Sequence, residues 1–141
     1  MFIRLTPAIS VSPQISLEDC AAARDQGFAA IICNRPDDED AGQPSAAAMA
    51  AAAAAAGLRF AHIPVDASGI DTGHITAMAA ALAEGVPVLA YCRSGTRSTN
   101  LWALAEASRG GDPDRIAEAA ANGGYNVSGM LPMLRRLAAG A

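Results

Sequence analysis

Short apolar runs alternate along this chain with stretches of helical periodicity. Residues 28–33 contain two adjacent isoleucines, and residues 58–65 and 86–91 are similarly compact and apolar. Runs of this length and composition are typical of buried strands. Pro36 stops the first run, because proline cannot continue a strand ladder. The pattern therefore predicts three buried strands separated by other structure.

Capping residues mark the starts of the intervening helices, and glycines mark their ends. Ser16, followed three residues later by Asp19, predicts a first helix that runs to Gly27. Ser45 is predicted to cap an alanine-rich helix that ends at Gly57, since alanine is the best helix former. Further helices are predicted over residues 71–84, with Asp71 as the cap, over residues 98–108, from Asp112-Pro113 onward, and over residues 130–137.

This alternation of strands and helices indicates the fold class. It predicts an α/β protein with a mostly parallel sheet that is flanked by helices on both faces. Residues 1–141 are predicted to form a single domain, because the length suits one domain and no internal repeat is present. Residues 37–44 are acidic and include Gly42 and Pro44, so we expect a long surface loop there.

Composition and charge narrow the possible functions. The chain carries ten Lys or Arg and fourteen Asp or Glu, a net charge of −4, which argues against a nucleic-acid partner. No stretch approaches ~18 strongly apolar residues and residues 1–16 lack a signal-peptide core, so neither a membrane span nor secretion is expected. Cys20, Cys33 and Cys92 form no Cys-x-x-Cys pair, so we expect a reducing, cytoplasmic compartment and neither a metal nor a cofactor.

The segment that follows the third strand carries the candidate chemistry. Cys92 stands between an apolar strand and a helix, and ligands of open α/β sheets bind beyond the carboxyl ends of the strands. Gly95 allows a tight turn in which the amides of the loop point inward and the next helix presents its positive end. This field favours a thiolate at Cys92, and Arg97 adds a bidentate fork for an oxyanion. The candidate anion-binding positions are Arg93, Ser94, Gly95 and Thr96, with Arg93 at the rim.

Two further polar residues are candidates for the active site, and each also has a structural interpretation. Ser98 either donates its hydroxyl to the sulfur or a leaving group, or acts as the N-cap of the next helix. Arg35 follows a strand on the same side of the sheet as Cys92, and either holds an anionic substrate or pairs with Asp37, Asp38 or Glu39. Structural roles are expected for His62, His74, Cys33 and Trp102.

The loop and its surroundings resemble known families. The segment from Cys92 to Ser98 is similar to the active-site loop of rhodanese-type sulfurtransferases and, less closely, of cysteine-dependent protein phosphatases. The wider chain resembles the beta-lactamase-hydrolase-like, phosphatase-like family of bacterial proteins, which implies the fold of dual-specificity phosphatases. The segments that carry this resemblance are Val11-Ser12-Pro13-Gln14-Ile15-Ser16, Asn34-Arg35-Pro36-Asp37, Gly42-Gln43-Pro44-Ser45, His62-Ile63-Pro64-Val65 and Leu89-Ala90-Tyr91.

One departure from the phosphatase pattern lies inside the loop. Cysteine phosphatases place five residues between the nucleophile and its arginine and usually have His before the Cys, whereas here four residues intervene and Tyr91 precedes. The position that a phosphatase gives to its arginine is Ser98, and the shorter loop has the rhodanese length. The resemblance also implies Asp66 as the general acid of a phosphatase, because it lies roughly where dual-specificity phosphatases carry theirs. The alternative is that Asp66 is a loop residue without a catalytic role.

Three functions follow from these observations. The leading hypothesis is transfer of sulfane sulfur through a Cys92 persulfide, with thiosulfate or a persulfide as the small anionic substrate. The alternative is hydrolysis of phosphate monoesters through a phosphocysteine, with Arg97 binding the oxygens and Asp66 as acid. The third is a non-catalytic module that binds an oxyanion or a phosphorylated ligand.

Overall fold

Five strands form one sheet in the computed structural model, which describes all 141 residues. In chain order the strands are β1 (Ile3–Thr6), β2 (Ile9–Ser12), β3 (Ala30–Cys33), β4 (Arg59–His62) and β5 (Val88–Tyr91). The spatial order is β1-β2-β5-β3-β4, and all neighbours are parallel except the antiparallel pair β1 and β2. The predicted mostly parallel sheet is therefore confirmed, with β5 at its centre.

Helices cover both faces of this sheet, as predicted. They are α1 (Asp19–Asp25), α2 (Ala46–Ala55), α3 (Thr72–Leu82), α4 (Thr96–Ser108), α5 (Pro113–Asn122) and α6 (Leu131–Ala139), with a 3₁₀ turn at Ser128–Met130. Ser45, Asp71 and Asp112 are N-caps whose side chains accept backbone N–H groups, which confirms three predicted helix starts. None of these helices has the length and apolar character needed to cross a bilayer.

Successive residues of the central strands pack into two separate hydrophobic cores, one on each face of the sheet. Ile32 and Ala90 face one core, which also contains buried side chains of α3, α4, α5 and α6. Ile31 and Leu89, one position earlier on each strand, face the other core beneath α1 and α2. This two-residue period is the geometry of a strand that is buried on both faces. Trp102 of α4 is 1% exposed and is a core residue, as predicted.

Helix α2 consists of nine alanines and Met49. Met49 is fully buried in the core beneath α1 and α2, together with Ala53. Because alanine side chains are small, the backbone of this helix packs close to the sheet.

The amino-terminal hairpin is absent from the sequence prediction. Residues 3–12 form β1 and β2, which are only four residues each and are joined through Pro7. Two strands this short produce little periodicity, and proline usually argues against a strand. At the first helix, Ser16 and Asp19 exchange the predicted capping hydrogen bonds, but regular helix begins only at Asp19.

Candidate active site

Cys92 lies directly after the central strand β5, at the carboxyl end of the sheet. Its backbone N–H donates to the Ser12 carbonyl across the neighbouring strand at 3.3 Å. Its side chain is fully buried, and the Gly95 backbone N–H donates to Sγ at 3.1 Å. The strand therefore fixes the position of the sulfur, and the loop supplies a hydrogen-bond donor to it.

Gly95 is the N-cap of α4 and has a φ of +89°. Side chains rarely adopt this left-handed conformation, whereas glycine does so without steric cost. The turn at Gly95 brings its N–H back to the sulfur of Cys92, three residues earlier. Helix α4 then starts at Thr96, so its positive end faces the same point.

Arg97 stands in the first turn of α4 and already grips a carboxylate. Its two terminal nitrogens donate to the two carboxylate oxygens of Glu39, both at 2.8 Å, and Nη1 also donates to the Val65 carbonyl at 2.8 Å. Hydrogen bonding to Glu39 is the main cause that raises the pKa of Arg97, and the nearby Cys92 contributes less. Arg97 thus makes a bidentate contact with an internal carboxylate. Its predicted contact with a substrate oxyanion stays a prediction.

Glu39 lies between two arginines. Hydrogen bonds first from Arg97 and then from Arg35 outweigh the effect of partial burial and lower the pKa of Glu39 from 4.5 to about 2. Its carboxylate therefore stays charged over the whole neutral range. The acidic loop of residues 37–44 supplies this side chain, so the predicted surface loop also covers one side of the Cys92 loop.

The structure overturns the expectation that Arg35 holds a substrate. Arg35 is 2% exposed, and its guanidinium donates to Glu39 at 2.9 Å, to Gln14 at 2.8 Å and to Asp40. All three of its nitrogens are thus engaged within the protein. The ion-pair alternative is confirmed for Glu39. Arg93, by contrast, is exposed at the rim, as expected, where Nε lies 3.5 Å from Asp40.

Ser98 has neither of its two predicted roles. It lies within α4, whose N-cap is Gly95, so it does not cap the helix. Its fully buried hydroxyl donates to Oδ1 of Asn34 at 2.8 Å, and this contact directs the proton away from Cys92. Asn34 in turn donates to the Ile63 carbonyl at 3.0 Å. The pair therefore joins α4 to the ends of two strands beside the loop.

Asp66 does not have the properties of a general acid in this structure. It is exposed and accepts hydrogen bonds from the Ser68 hydroxyl at 2.5 Å and the Ser68 N–H at 2.9 Å. These two hydrogen bonds lower the pKa of Asp66 below its usual range, so the carboxyl lacks the proton that an acid must donate. A turn residue is the better description of Asp66.

The outer part of the loop is held by side chains. The hydroxyls of Ser94 and Thr96 lie 3.0 Å apart at the surface, and the Tyr125 hydroxyl donates to the Ser94 carbonyl at 2.9 Å. The Gly95 carbonyl accepts from both the N–H and the hydroxyl of Thr99, at 3.0 and 2.8 Å. Of the loop amides that we expected to point inward, that of Gly95 donates to the sulfur.

The remaining polar candidates have structural contacts. A ring nitrogen of His62 lies 2.8 Å from the Arg35 carbonyl, and His74 forms a capping box with Asp71. Cys33 is buried in the core beneath α1 and α2, and burial raises the pKa of its thiol. The expectation of structural roles for both histidines and for Cys33 agrees with these contacts.

Three residues that contact the Cys92 loop or its arginine have little or no signal in the sequence: Glu39, Asn34 and Tyr125. For Glu39 the sequence predicts a contact with Arg35 but not the one with Arg97. Asn34 lies 64 residues before its hydrogen-bonding partner Ser98, and Tyr125 lies 31 residues after its partner Ser94. Contacts at such separations leave no pattern in a single sequence.

Comparison with known proteins finds similar sequences. The model of the family described as "Beta-lactamase hydrolase-like protein, phosphatase-like domain" matches residues 2–109. A beta-lactamase hydrolase-like protein of Agrobacterium fabrum is 37% identical over 109 residues, which are 77% of this chain and 25% of that protein. The chain thus spans about a quarter of the length of the curated relatives that it matches.

Solved structures of phosphatases share the fold. The crystal structure of a putative phosphatase from Neisseria meningitidis has a TM-score of 0.77 and 33% identity, and the match covers 96% of both chains. Pseudomonas aeruginosa TpbA, crystallised with phosphotyrosine, has a TM-score of 0.64 at 17% identity, with 99% of this chain and 91% of that chain covered. At that identity the second likeness concerns the fold alone.

Proposed function

Because the chain belongs to the phosphatase-like domain family of beta-lactamase hydrolase-like proteins, we propose that it hydrolyses phosphate monoesters through a phosphocysteine on Cys92. The observation that carries the proposal is the position of Sγ at the end of β5, 3.1 Å from the Gly95 amide and beside Arg97. An activated thiolate next to a guanidinium fork is the arrangement that phosphoryl transfer to cysteine requires.

In the first step the Cys92 thiolate attacks phosphorus. The bond from phosphorus to the ester oxygen breaks, and the alcohol or phenol leaves with that electron pair and takes up a proton. The Gly95 N–H stabilises the negative charge near the sulfur. The guanidinium of Arg97 exchanges its contact with Glu39 for the phosphoryl oxygens and stabilises the charge on them. In the second step water attacks phosphorus, the sulfur–phosphorus bond breaks, and the thiolate and inorganic phosphate are released.

The substrate class is inferred from the position of Asp66, whose carboxylate is exposed and accepts two hydrogen bonds from Ser68. A phenolate is a much weaker base than an alkoxide, so its departure needs little protonation in the transition state. We therefore propose aryl phosphates, such as phosphotyrosine, as the preferred substrates. The phosphotyrosine bound to P. aeruginosa TpbA is a precedent on this fold, although not for this chain.

Transfer of sulfane sulfur was the leading hypothesis from the sequence, but the comparisons support the phosphatase alternative instead. It remains the second candidate because the length of the loop favours it. Four residues separate Cys92 from Arg97, which is the rhodanese spacing. In this reaction the Cys92 thiolate attacks the outer sulfur of thiosulfate, the sulfur–sulfur bond breaks, and sulfite leaves with the electron pair. A leaving group of this kind needs no acid, so the state of Asp66 is compatible with it as well.

One paired assay separates the two chemistries. We expect the wild type to release phosphate from an aryl phosphate, Cys92→Ser to be inactive, and Cys20→Ser, a buried cysteine outside the loop, to retain activity. Thiosulfate is tested in parallel, with the mass of the intact protein recorded. A persulfide on Cys92 without phosphate release would replace the first proposal by the second. Activity that survives in Cys92→Ser would contradict both chemistries. A wild type that neither releases phosphate nor forms a persulfide would leave the non-catalytic binding module.

A further inference from the structure

We propose that Tyr125 is a positioning residue for the Cys92 loop, whose hydroxyl fixes the peptide that donates to the sulfur. The inference rests on the proposed function of Cys92 as a nucleophile. Tyr125 lies outside residues 2–109, to which the family model applies. It reaches the loop from the segment between α5 and the 3₁₀ turn at Ser128–Met130.

Two hydrogen bonds act on opposite sides of one peptide unit. The Tyr125 hydroxyl donates to the Ser94 carbonyl at 2.9 Å, and the Gly95 N–H donates to Sγ of Cys92 at 3.1 Å. That carbonyl and that N–H belong to the same planar unit, so they point in opposite directions and turn together. A donor that holds the carbonyl outward therefore keeps the N–H aimed at the sulfur.

This peptide needs an external support because glycine follows it. Gly95 has a φ of +89°, and glycine populates positive and negative φ about equally well, so the peptide before it rotates easily. The next peptide is secured on the helix, since Thr99 binds the Gly95 carbonyl through its N–H and its hydroxyl. The Ser94 carbonyl, in contrast, accepts from the protein only through Tyr125.

The tyrosine is itself held in a suitable position and protonation state. Its N–H donates to the Ala120 carbonyl at 2.9 Å, which ties the residue to the end of α5. A β-carbon on Gly95 would collide with the Tyr125 hydroxyl oxygen, so the ring lies directly against the turn. Burial, and then the neighbouring Cys92, raise the pKa of Tyr125, so the hydroxyl keeps its proton and remains a donor.

Tyr125→Phe tests this inference, because it removes the hydroxyl and keeps the ring. We expect kcat on an aryl phosphate to fall roughly three- to tenfold, the effect of one hydrogen bond, while KM is unchanged. We also expect the Gly95 amide resonance in a proton–nitrogen correlation spectrum to move, since its hydrogen bond to the sulfur weakens. Asn126→Ala is the matched control, since Asn126 is exposed and its side chain accepts a hydrogen bond from the Ser128 N–H of its own turn.

The amide resonance makes the inference independent of turnover. A Gly95 resonance that moves no further in Tyr125→Phe than in Asn126→Ala would overturn the positioning role, whatever the activity. If the wild type releases no phosphate but the resonance moves as expected, the positioning role stands and the proposed function fails. Thermal unfolding of both variants is compared, so that a general loss of stability is recognised.

Discussion

Of the three buried cysteines, Cys92 has a backbone amide that donates to its sulfur. Burial raises the pKa of the thiols of Cys20 and Cys33, which keeps them protonated. We therefore expect a small neutral reagent such as iodoacetamide to alkylate Cys92 much faster than the other two at about pH 6.5. Peptide mass spectrometry of the native protein measures the three rates. Equal rates would leave the activated thiolate without support.

A substitution of Arg97 tests whether catalysis needs the planar guanidinium group or only a positive charge. Arg97→Lys keeps the positive charge but loses the planar fork that now grips Glu39. We expect kcat to fall about 10²–10³-fold, by analogy with the loss of an oxyanion-hole donor, and nearly as far as in Arg97→Ala. Arg115→Lys, an exposed position far along the chain, is the control. Turnover of Arg97→Lys within about threefold of the wild type would show that Arg97 acts only as a charge.

The sequence was sufficient for the residues whose signal is local. Cys92, Gly95 and Arg97 lie within six positions after a strand, so their proximity follows from the chain itself. Glu39 reaches Arg97 from 58 residues away, and the partners of Arg35 and Ser98 are likewise set by tertiary packing. For Arg35 the predicted ion pair with Glu39, four residues away, is present. Its contact with Gln14 and the contact of Ser98 with Asn34 have no signal in the spacing of the sequence.

At the scale of elements, the acidic loop of residues 37–44 makes the stability of the fold depend on pH through the ion pairs of Glu39. The folded state lowers the pKa of Glu39 from 4.5 to about 2, so its ion pairs stabilise the fold above pH 4.5. That stabilisation is lost as the pH falls from 4.5 to about 2. We therefore expect the wild type to lose more of its free energy of unfolding over this interval than Glu39→Gln.

Urea unfolding at a series of pH values measures this difference. Glu18→Gln is the control, because Glu18 is exposed and has no ion pair. We expect its pH dependence to follow that of the wild type. Parallel curves for the wild type and Glu39→Gln would contradict the stabilising role of Glu39 and leave it as a simple cover of the loop.

Elements with clear caps and long apolar runs were predictable. The starts of α2, α3 and α5 agree with the capping residues, since each cap is a local interaction between a side chain and the next turn. The hairpin of β1 and β2 has no clear signal in the sequence. β2 is stabilised by pairing with β5, and β1 by pairing with β2, rather than by a marked period of their own. Predicted strand ends also extended too far, since strands here are only four residues long.

At the scale of the whole molecule, the last two helices complete the larger core. Leu134 of α6 is fully buried there, although it lies beyond the residues that the family model matches. We expect Leu134→Ala to lower the free energy of unfolding by about 2–5 kcal/mol, because it leaves a cavity in this core. Met133→Ala, on the exposed side of the same helix, is the control in urea unfolding. An equal loss in both variants would mean that α6 is not part of the stable core.

The sides of helix α2 are nearly identical, so packing against the sheet favours one rotation of the helix only weakly. Alanine covers every direction except that of Met49, so a rotation of about 100°, one residue step, would present an equivalent surface. The unique setting of the helix therefore depends on where one long side chain is buried, together with the fixed cap at Ser45. Met49→Ala would leave a helix with full circular dichroism but several interconverting orientations, visible as broadened resonances of neighbours such as Ile31 and Leu89.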